Sequence, residues 1–106
     1  VFPAPNTDVF AFVVDTTGGH EAALVCNQLR MARIGADRAF DNRSMKAQMK
    51  AADRSGAQVA IIIGSNELEA GQAVIRPMNS GEQYSVNRGE LLSAIQNEVS
   101  KFHSAN

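Results

Sequence analysis

The sequence has one cysteine, no long apolar run and no motif typical of enzymatic catalysis. Cys26 has no partner for an internal disulfide and no neighbour at zinc-ligand spacing, which fits a reducing compartment, and its apolar neighbours predict a core position. No apolar segment approaches the roughly 18 residues that a membrane span needs, and the N-terminus lacks the layout of a signal peptide. These absences predict a cytoplasmic protein without a membrane partner.

Catalytic and metal-binding constellations are also absent from the sequence. Neither Gly-x-x-x-x-Gly-Lys-Ser/Thr nor Gly-x-Gly-x-x-Gly occurs, and His20 and His103 have no Cys or His at ligand spacing. Asp15 could suggest a phospho-receiver domain, but Gly64 and Ser65 stand where such a domain presents its phosphorylated aspartate. We therefore predict no catalytic residue, no metal and no cofactor in this chain, so its function has to lie in what its surface binds.

The length and composition indicate one globular domain. A chain of 106 residues with 44% hydrophobic and 20% charged residues can bury a single core. The sequence begins at Val1, and Pro3 and Pro5 fall within its first seven residues, as in an interdomain linker. We predict a linker over residues 1–7, cut from a longer protein, and one domain over residues 8–106.

Basic residues are concentrated in one quarter of a chain whose net charge is only −1. Seven of the ten basic residues and three acids fall between Arg30 and Arg54, so this window carries a formal charge of +4. Within it, Lys46 and Lys50 are spaced i, i+4 and form one ridge of a predicted helix. The ridge is either a phosphate-binding surface or an ordinary solvated helix face.

Apolar runs and helical periodicity predict alternating strands and helices. Each of the first two helices is followed by a glycine that suggests a left-handed cap, Gly35 for the first and Gly56 for the second. Met45, Met49 and Ala52 of the second helix should face the core. Asn87 and Glu90 form an N-cap and N3 pair for the last helix. The candidate strands are residues 9–14, 36–40, 59–63, 73–78 and 83–86, and the candidate helices are residues 20–34, 44–55 and 87–102.

These elements predict an α/β fold with a single mixed β-sheet flanked by three helices, in the order βαβαββα. The last two strands should pair antiparallel around Asn79-Ser80-Gly81, and Pro77 should place the first of them at an edge or beside a bulge. In such sheets a ligand site lies beyond the carboxyl ends of the parallel strands, here residues 15–19, 41–43 and 64–69.

Several segments of the sequence resemble one RNA-binding module. They are Lys-Ala-Gln-Met-Lys-Ala-Ala-Asp-Arg-Ser-Gly-Ala at 46–57, Val-Ala-Ile-Ile-Ile-Gly-Ser-Asn-Glu-Leu-Glu-Ala-Gly at 59–71, Val-Ile-Arg at 74–76 and Ser-Gly-Glu-Gln at 80–83. This pattern is similar to the C-terminal anticodon-binding domain of histidyl-tRNA synthetase, a class II synthetase, over about Asp8 to Phe102. The loop at residues 15–19 departs from the Pro-Leu-Gly type that the family more often has.

The resemblance implies two anticodon-binding residues, Glu67 and Arg76, which match positions of the threonine-specific relative. A carboxylate can accept hydrogen bonds from the N1 and N2 donors of guanine, and an arginine can bind either base acceptors or a phosphate. Lys46, Lys50 and Arg54 would then contact the RNA backbone. The alternatives are that Glu67 only stabilises a helical turn and that Arg76 pairs with a charge across the sheet.

By this resemblance the chain recognises the anticodon of histidine tRNA for an enzyme that attaches histidine in an ATP-dependent reaction. The family implies that ATP and magnesium bind to a catalytic domain of the same polypeptide, and that the full-length enzyme is a homodimer. The alternative function is a synthetase-like domain reused as a protein-interaction or dimerisation module without tRNA binding.

Overall fold

A five-stranded mixed sheet is the frame of the fold. The computed structural model describes residues 10–17, 19–38, 44–78 and 82–104, with the side chains described as far as residue 101. The predicted linker at residues 1–7, residues 41–43 and the loop at residues 79–81 lie outside the described part. The elements are β1 (Ala11–Asp15), α1 (His20–Met31), β2 (Ala36–Arg38), α2 (Met45–Ser55), β3 (Val59–Ile63), α3 (Ser65–Ala70), β4 (Gln72–Pro77), β5 (Tyr84–Asn87), a 3-10 turn (Arg88–Glu90) and α4 (Leu91–Ser104).

The strands lie in the order β2-β1-β3-β4-β5. Strand β1 pairs parallel with β2 and β3, whereas β4 pairs antiparallel with β3 and with β5. The single mixed sheet and the antiparallel terminal pair are thus confirmed. The observed order, βαβαβαββα, has one strand and one helix more than the predicted order, because all five candidate strands pair and residues 65–70 form a short helix.

The two faces of the sheet carry cores of unequal size. On one face, α1 and α4 cover a large core whose members include Val13, Leu29, Ile61 and Ile95. On the other face, α2 covers a smaller core around Phe12, Val14, Ala52 and Ala57. Strand β1 is buried on both faces, as its unbroken apolar run predicts. Cys26 is buried in the larger core, which confirms its predicted position.

Helix α1 ends differently from the prediction. It stops at Met31, and the left-handed residue is Arg33, with φ 66°, rather than Gly35. The Arg33 N–H donates to the Arg30 carbonyl at 2.9 Å, and the Ile34 N–H donates to the Leu29 carbonyl at 2.9 Å. This is a Schellman motif, and the burial of Ile34 in the same core as Leu29 fixes the left-handed residue two positions before Gly35.

Three further predictions about element ends and faces are wrong. Met45 is 39% exposed, and Gln48 rather than Met45 shares the buried side of α2 with Ala52. Asn87 precedes the 3-10 turn without a side-chain capping bond. Pro77 does not place β4 at an edge, because β4 has a neighbouring strand on each side. The described pairing of β4 with β5 stops at Ile75, so the N–H that Pro77 lacks interrupts no described β4–β5 pair.

Helix α4 and the turn before it are held by two polar contacts. Arg88 pairs with Glu21 in the first turn of α1. The Tyr84 hydroxyl donates to Glu98 Oε2 at 2.5 Å, and burial together with this carboxylate raises the pKa of Tyr84. Lys101 Nζ lies 3.8 Å from the same carboxylate, so the buried Glu98 has both a donor and a nearby positive charge.

The end of β1 depends on the side chain of Gln48. The described part of β2 ends at Arg38, opposite Val13, so β1 continues two residues beyond its pairing with β2. Gln48 Oε1 accepts from the Asp15 N–H at 2.9 Å, and Gln48 Nε2 donates to the Asp15 carbonyl at 2.9 Å. The glutamine amide therefore replaces a residue of a neighbouring strand and satisfies both backbone groups of Asp15.

The Asp15 side chain orders the chain that follows it. Its Oδ1 accepts from the Thr17 N–H at 2.7 Å, and its Oδ2 accepts from the Ala22 N–H at 3.0 Å in the first turn of α1. Burial alone would raise the pKa of Asp15, but these bonds and that of the Thr17 hydroxyl together lower it from its ordinary 3.8. The resulting stabilisation is present above the ordinary pKa and is lost as the pH falls through the lowered value.

The first prediction tests the left-handed end of α2. Gly56 has φ 77°, as the sequence predicts, and no atom lies within 4 Å of a Cβ added there, so a substitution meets only backbone strain. Gly56→Val should lower the free energy of unfolding by about 1–2 kcal/mol, and Gly56→Asn by less, since asparagine tolerates this conformation. Thermal unfolding measures both variants, and an equal loss for the two would contradict the assignment.

The second prediction tests the Gln48 clamp. Gln48→Leu keeps the volume but leaves the buried N–H and C=O of Asp15 unpaired, so it should lower the free energy of unfolding by about 2–4 kcal/mol. Gln28→Leu, on the exposed side of α1, is the matched control and should change it by less than about 0.5 kcal/mol. Urea unfolding measures both, and similar values for the two variants would show that the clamp contributes nothing.

Candidate nucleic-acid interface

The carboxyl ends of β1 and β3 form a shared surface. The Thr16 N–H donates to the Ile63 carbonyl at 3.1 Å, which joins the loops that follow the two strands. A Cβ added at Gly64 would lie 2.8 Å from Glu67 Oε1 and 3.6 Å from Thr16 Oγ1. A Cβ here would require the Glu67 carboxylate to move, so the glycine lets Glu67 and the exposed Thr16 approach this end of the sheet together.

Glu67 has a structural role in α3. Its Oε1 accepts from the Gly64 N–H at 2.8 Å, which is the glutamate half of a capping box whose other half a glycine cannot supply, so the alternative of a turn-stabilising glutamate is observed. The side chain remains half-buried, and Oε2 has no hydrogen-bond partner within the described ranges. One carboxylate thus closes the helical turn and still offers acceptor lone pairs to a ligand.

Arg76 lies on the face of the sheet that α2 covers, opposite Ala60 of β3. It is half-buried, and among the described residues it forms no ion pair, so the alternative of a cross-strand charge partner is not observed there. Ala60 and Gly64 are four residues apart, which places Arg76 roughly 13 Å along the strand from Glu67. The structure therefore places the two predicted base-binding residues at different levels along β3.

The three basic residues of α2 form a stripe on its exposed surface. Lys46, Lys50 and Arg54 are all exposed, and none of them forms an ion pair in the part of α2 and its surroundings that the structure describes. Each is four residues from the next, so the stripe is about 12 Å long and turns gradually toward β2. We call Lys46, Lys50 and Arg54 the basic stripe.

The basic stripe runs alongside the strands. The bonds between Gln48 and Asp15 place the start of α2 at the carboxyl end of β1. Lys46 therefore lies toward the end of the sheet that carries Glu67, while Arg54 lies toward the opposite end, where β3 begins. Along the strand direction, the basic stripe thus extends from the level of Glu67 toward the level of Arg76.

Two further residues of this region were not named individually by the sequence analysis. Thr16 lies beside Glu67 and falls within residues 15–19, one of the strand ends at which the sequence predicts a ligand site. Gln48 holds α2 against β1, and its signal is a polar side chain spaced i, i+4 from the buried Ala52. Predicting both residues requires considering the carboxyl ends of the strands and helix α2 as one surface.

Three properties of the described residues concern metal binding, thiol reactivity and membrane-spanning helices. They contain no group of three or more His, Cys, Asp or Glu side chains that could hold a metal ion. Burial raises the pKa of the Cys26 thiol to about 11, so little reactive thiolate exists near neutral pH. Within the same residues, no helix is long and apolar enough to span a membrane.

Comparisons with known proteins agree with this geometry. A family described as "Anticodon binding domain" matches residues 8–98. The chain is 42% identical over 95 residues to the histidine–tRNA ligase of Corynebacterium urealyticum and 41% identical over 95 residues to that of Rhodococcus erythropolis. These alignments cover 89% and 90% of the chain but only 22% of each relative, so the chain spans about a fifth of their length.

Solved structures lead to the same family. The histidyl-tRNA synthetase of Nostoc sp. PCC 7120 superimposes with a TM-score of 0.77 at 29% identity, covering 92% of this chain and 23% of that one. The apo enzyme of S. aureus gives a TM-score of 0.75 at 32% identity, covering 82% and 23%. The resemblance seen in the sequence is confirmed, and the chain belongs to the anticodon-binding domain family, in the form found in histidyl-tRNA synthetases.

Proposed function

We propose that this chain binds the anticodon loop of histidine tRNA and thereby supports the attachment of histidine to that tRNA. The observation that carries the proposal is the basic stripe, three exposed cations without ion pairs in the described structure, beside a surface where Glu67 offers acceptor lone pairs. RNA supplies both complements, because its phosphates neutralise the cations and its unstacked loop bases expose hydrogen-bond donors.

The contacts divide into two kinds with different consequences. Lys46, Lys50 and Arg54 bind phosphates and raise affinity for any sequence. Glu67 accepts hydrogen bonds from the Watson–Crick edge of a guanine, and Arg76 binds a second nucleotide through a base acceptor or a phosphate. This division is supported by the exposure of the three cations, which form no ion pair among the described residues, and by the acceptor that Glu67 keeps available.

The ligation reaction belongs to the remainder of the polypeptide. The chain spans only about 22% of the histidine–tRNA ligases that it resembles, which supports a catalytic domain elsewhere in the polypeptide. We propose, as the family resemblance implies, that this domain uses ATP and magnesium and that the full-length enzyme is a homodimer. In this proposal the chain contributes the surface that holds the tRNA. Titration with an anticodon stem-loop tests the proposal, and no salt-dependent binding would instead favour a protein-interaction module.

The third prediction concerns the basic stripe. Lys46→Glu and Lys50→Glu should weaken binding to matched and mismatched anticodon loops by similar factors, because phosphates carry no sequence information. The slope of log affinity against log salt should become shallower by about one unit for each lost contact.

The control for the stripe is Lys101→Gln, which removes a positive charge on α4, on the other face of the sheet, without placing a second carboxylate beside Glu98. It should leave both affinity and salt slope nearly unchanged. Fluorescence titration at several salt concentrations measures all three variants. A large change in sequence discrimination with an unchanged salt slope would contradict the assignment of Lys46 and Lys50 to phosphates.

The fourth prediction separates the two roles of Glu67. Glu67→Gln keeps an oxygen for the Gly64 N–H but presents an amide donor to the ligand, so it should cost roughly 1–3 kcal/mol of binding to a loop with the histidine anticodon. A loop whose guanine is replaced should lose much less. Glu67→Ala should show the same selectivity and, in addition, a loss of about 1 kcal/mol in stability.

Glu69→Gln is the matched control, since Glu69 is an exposed carboxylate on the same short helix. It should retain wild-type affinity for both loops. Stem-loop titration, with the fold of each variant checked by circular dichroism, gives the comparison. Equal affinity of wild type and Glu67→Gln for the matched loop would remove Glu67 from the site.

A further inference from the structure

A groove separates α2 from the edge strand β2, on the side of α2 away from β4. Its volume is about 450 Å³, within the range of small-ligand clefts. Asp37 lines the β2 wall. Lys50 and Arg54 line the helix wall, together with the small side chains of Ala47 and Ala51. None of the residues predicted to read bases lines this groove.

The groove is lined by both positive and negative side chains. Lys50 and Arg54 are exposed and form no ion pair with Asp37 or with any other described residue. Asp37 is half-buried, and its Oδ1 accepts from the Arg38 N–H at 2.8 Å, which fixes the carboxylate. Its Oδ2 has no hydrogen-bond partner among the described residues and remains an acceptor.

We propose that this groove binds one nucleotide of the RNA, with its phosphate held by Lys50 and Arg54 and its ribose 2′-hydroxyl donating to Asp37. This inference rests on the proposed function and extends it, because it assigns a ribose contact at Asp37 to the groove that two residues of the basic stripe line. A purely anionic ligand would gain from the two cations but be repelled by Asp37. A ribonucleotide offers an anion and a hydroxyl donor close together, which suits both walls of the groove.

The consequence of this arrangement is a preference for ribose over deoxyribose at one position. The basic stripe alone cannot provide that preference, because phosphates are common to both sugars. A hydrogen bond from the 2′-hydroxyl to a carboxylate is charge-assisted and is lost completely when the hydroxyl is removed. Asp37 should therefore make the chain sensitive to a single 2′-deoxy substitution.

The experiment is a set of titrations of the 106-residue chain with anticodon stem-loops that each carry one 2′-deoxy nucleotide. For wild type, one position should show an affinity loss of about tenfold. In Asp37→Ala the same substitution should have no further effect. Asp53→Ala, the same charge change on α2 at a residue that does not line the groove, should keep the full loss.

The outcomes distinguish this inference from the proposed function. A deoxy penalty that disappears only in Asp37→Ala supports the groove site. If the stem-loop binds but no deoxy penalty depends on Asp37, the groove inference is overturned while anticodon binding stands. If the unmodified stem-loop does not bind wild type at all, both are overturned. Circular dichroism of each variant confirms that the comparison is made on folded protein.

Discussion

The arrangement of the proposed RNA-binding surface depends on how the backbone of Asp15 is satisfied at the end of β1. This strand lies inside the sheet and outlasts the described part of β2, so its last N–H and C=O would be buried without partners. Gln48 supplies both hydrogen bonds, which fixes the distance of α2 from the sheet and the rotation of α2 about its own axis. The same rotation turns Lys46, Lys50 and Arg54 toward solvent, so one buried amide determines where the cations lie.

Much of the fold could be predicted from the sequence because its central strands are apolar on both faces. Residues 59–63 can be accommodated only where helices or loops cover both sides of a sheet. Gly56 is equally informative, since its left-handed conformation ends α2 where the sequence indicates. By contrast, the end of α1 follows from the packing of Ile34 against the core, and a glycine two residues after Arg33 gave the wrong position.

The candidate site was harder to predict because its residues have roles that only three-dimensional contacts reveal. Gln48 has the polarity of a surface residue, and its burial follows from the hydrogen bonds of a strand 33 residues away. Glu67 fits two interpretations that the sequence leaves as alternatives. The structure makes them compatible, because the cap occupies one lone pair of Oε1 and leaves the other acceptor positions available. The sequence alone does not show which lone pairs of the Glu67 carboxylate are already used by the helix cap.

The separation of Glu67 from Arg76 implies how a bound loop would lie on the domain. The roughly 13 Å between their levels along β3 nearly equals the length of the basic stripe, about 12 Å from Lys46 to Arg54. Arg76 lies on β4, however, whereas Lys50 and Arg54 line the groove between α2 and β2, on the other side of the helix. In the proposed complex, the base contact at Arg76 and the phosphate contacts of the basic stripe would therefore fall on different sides of α2. Sequence recognition and electrostatic attraction would then be separated in space, although the whole chain has a net charge of only −1.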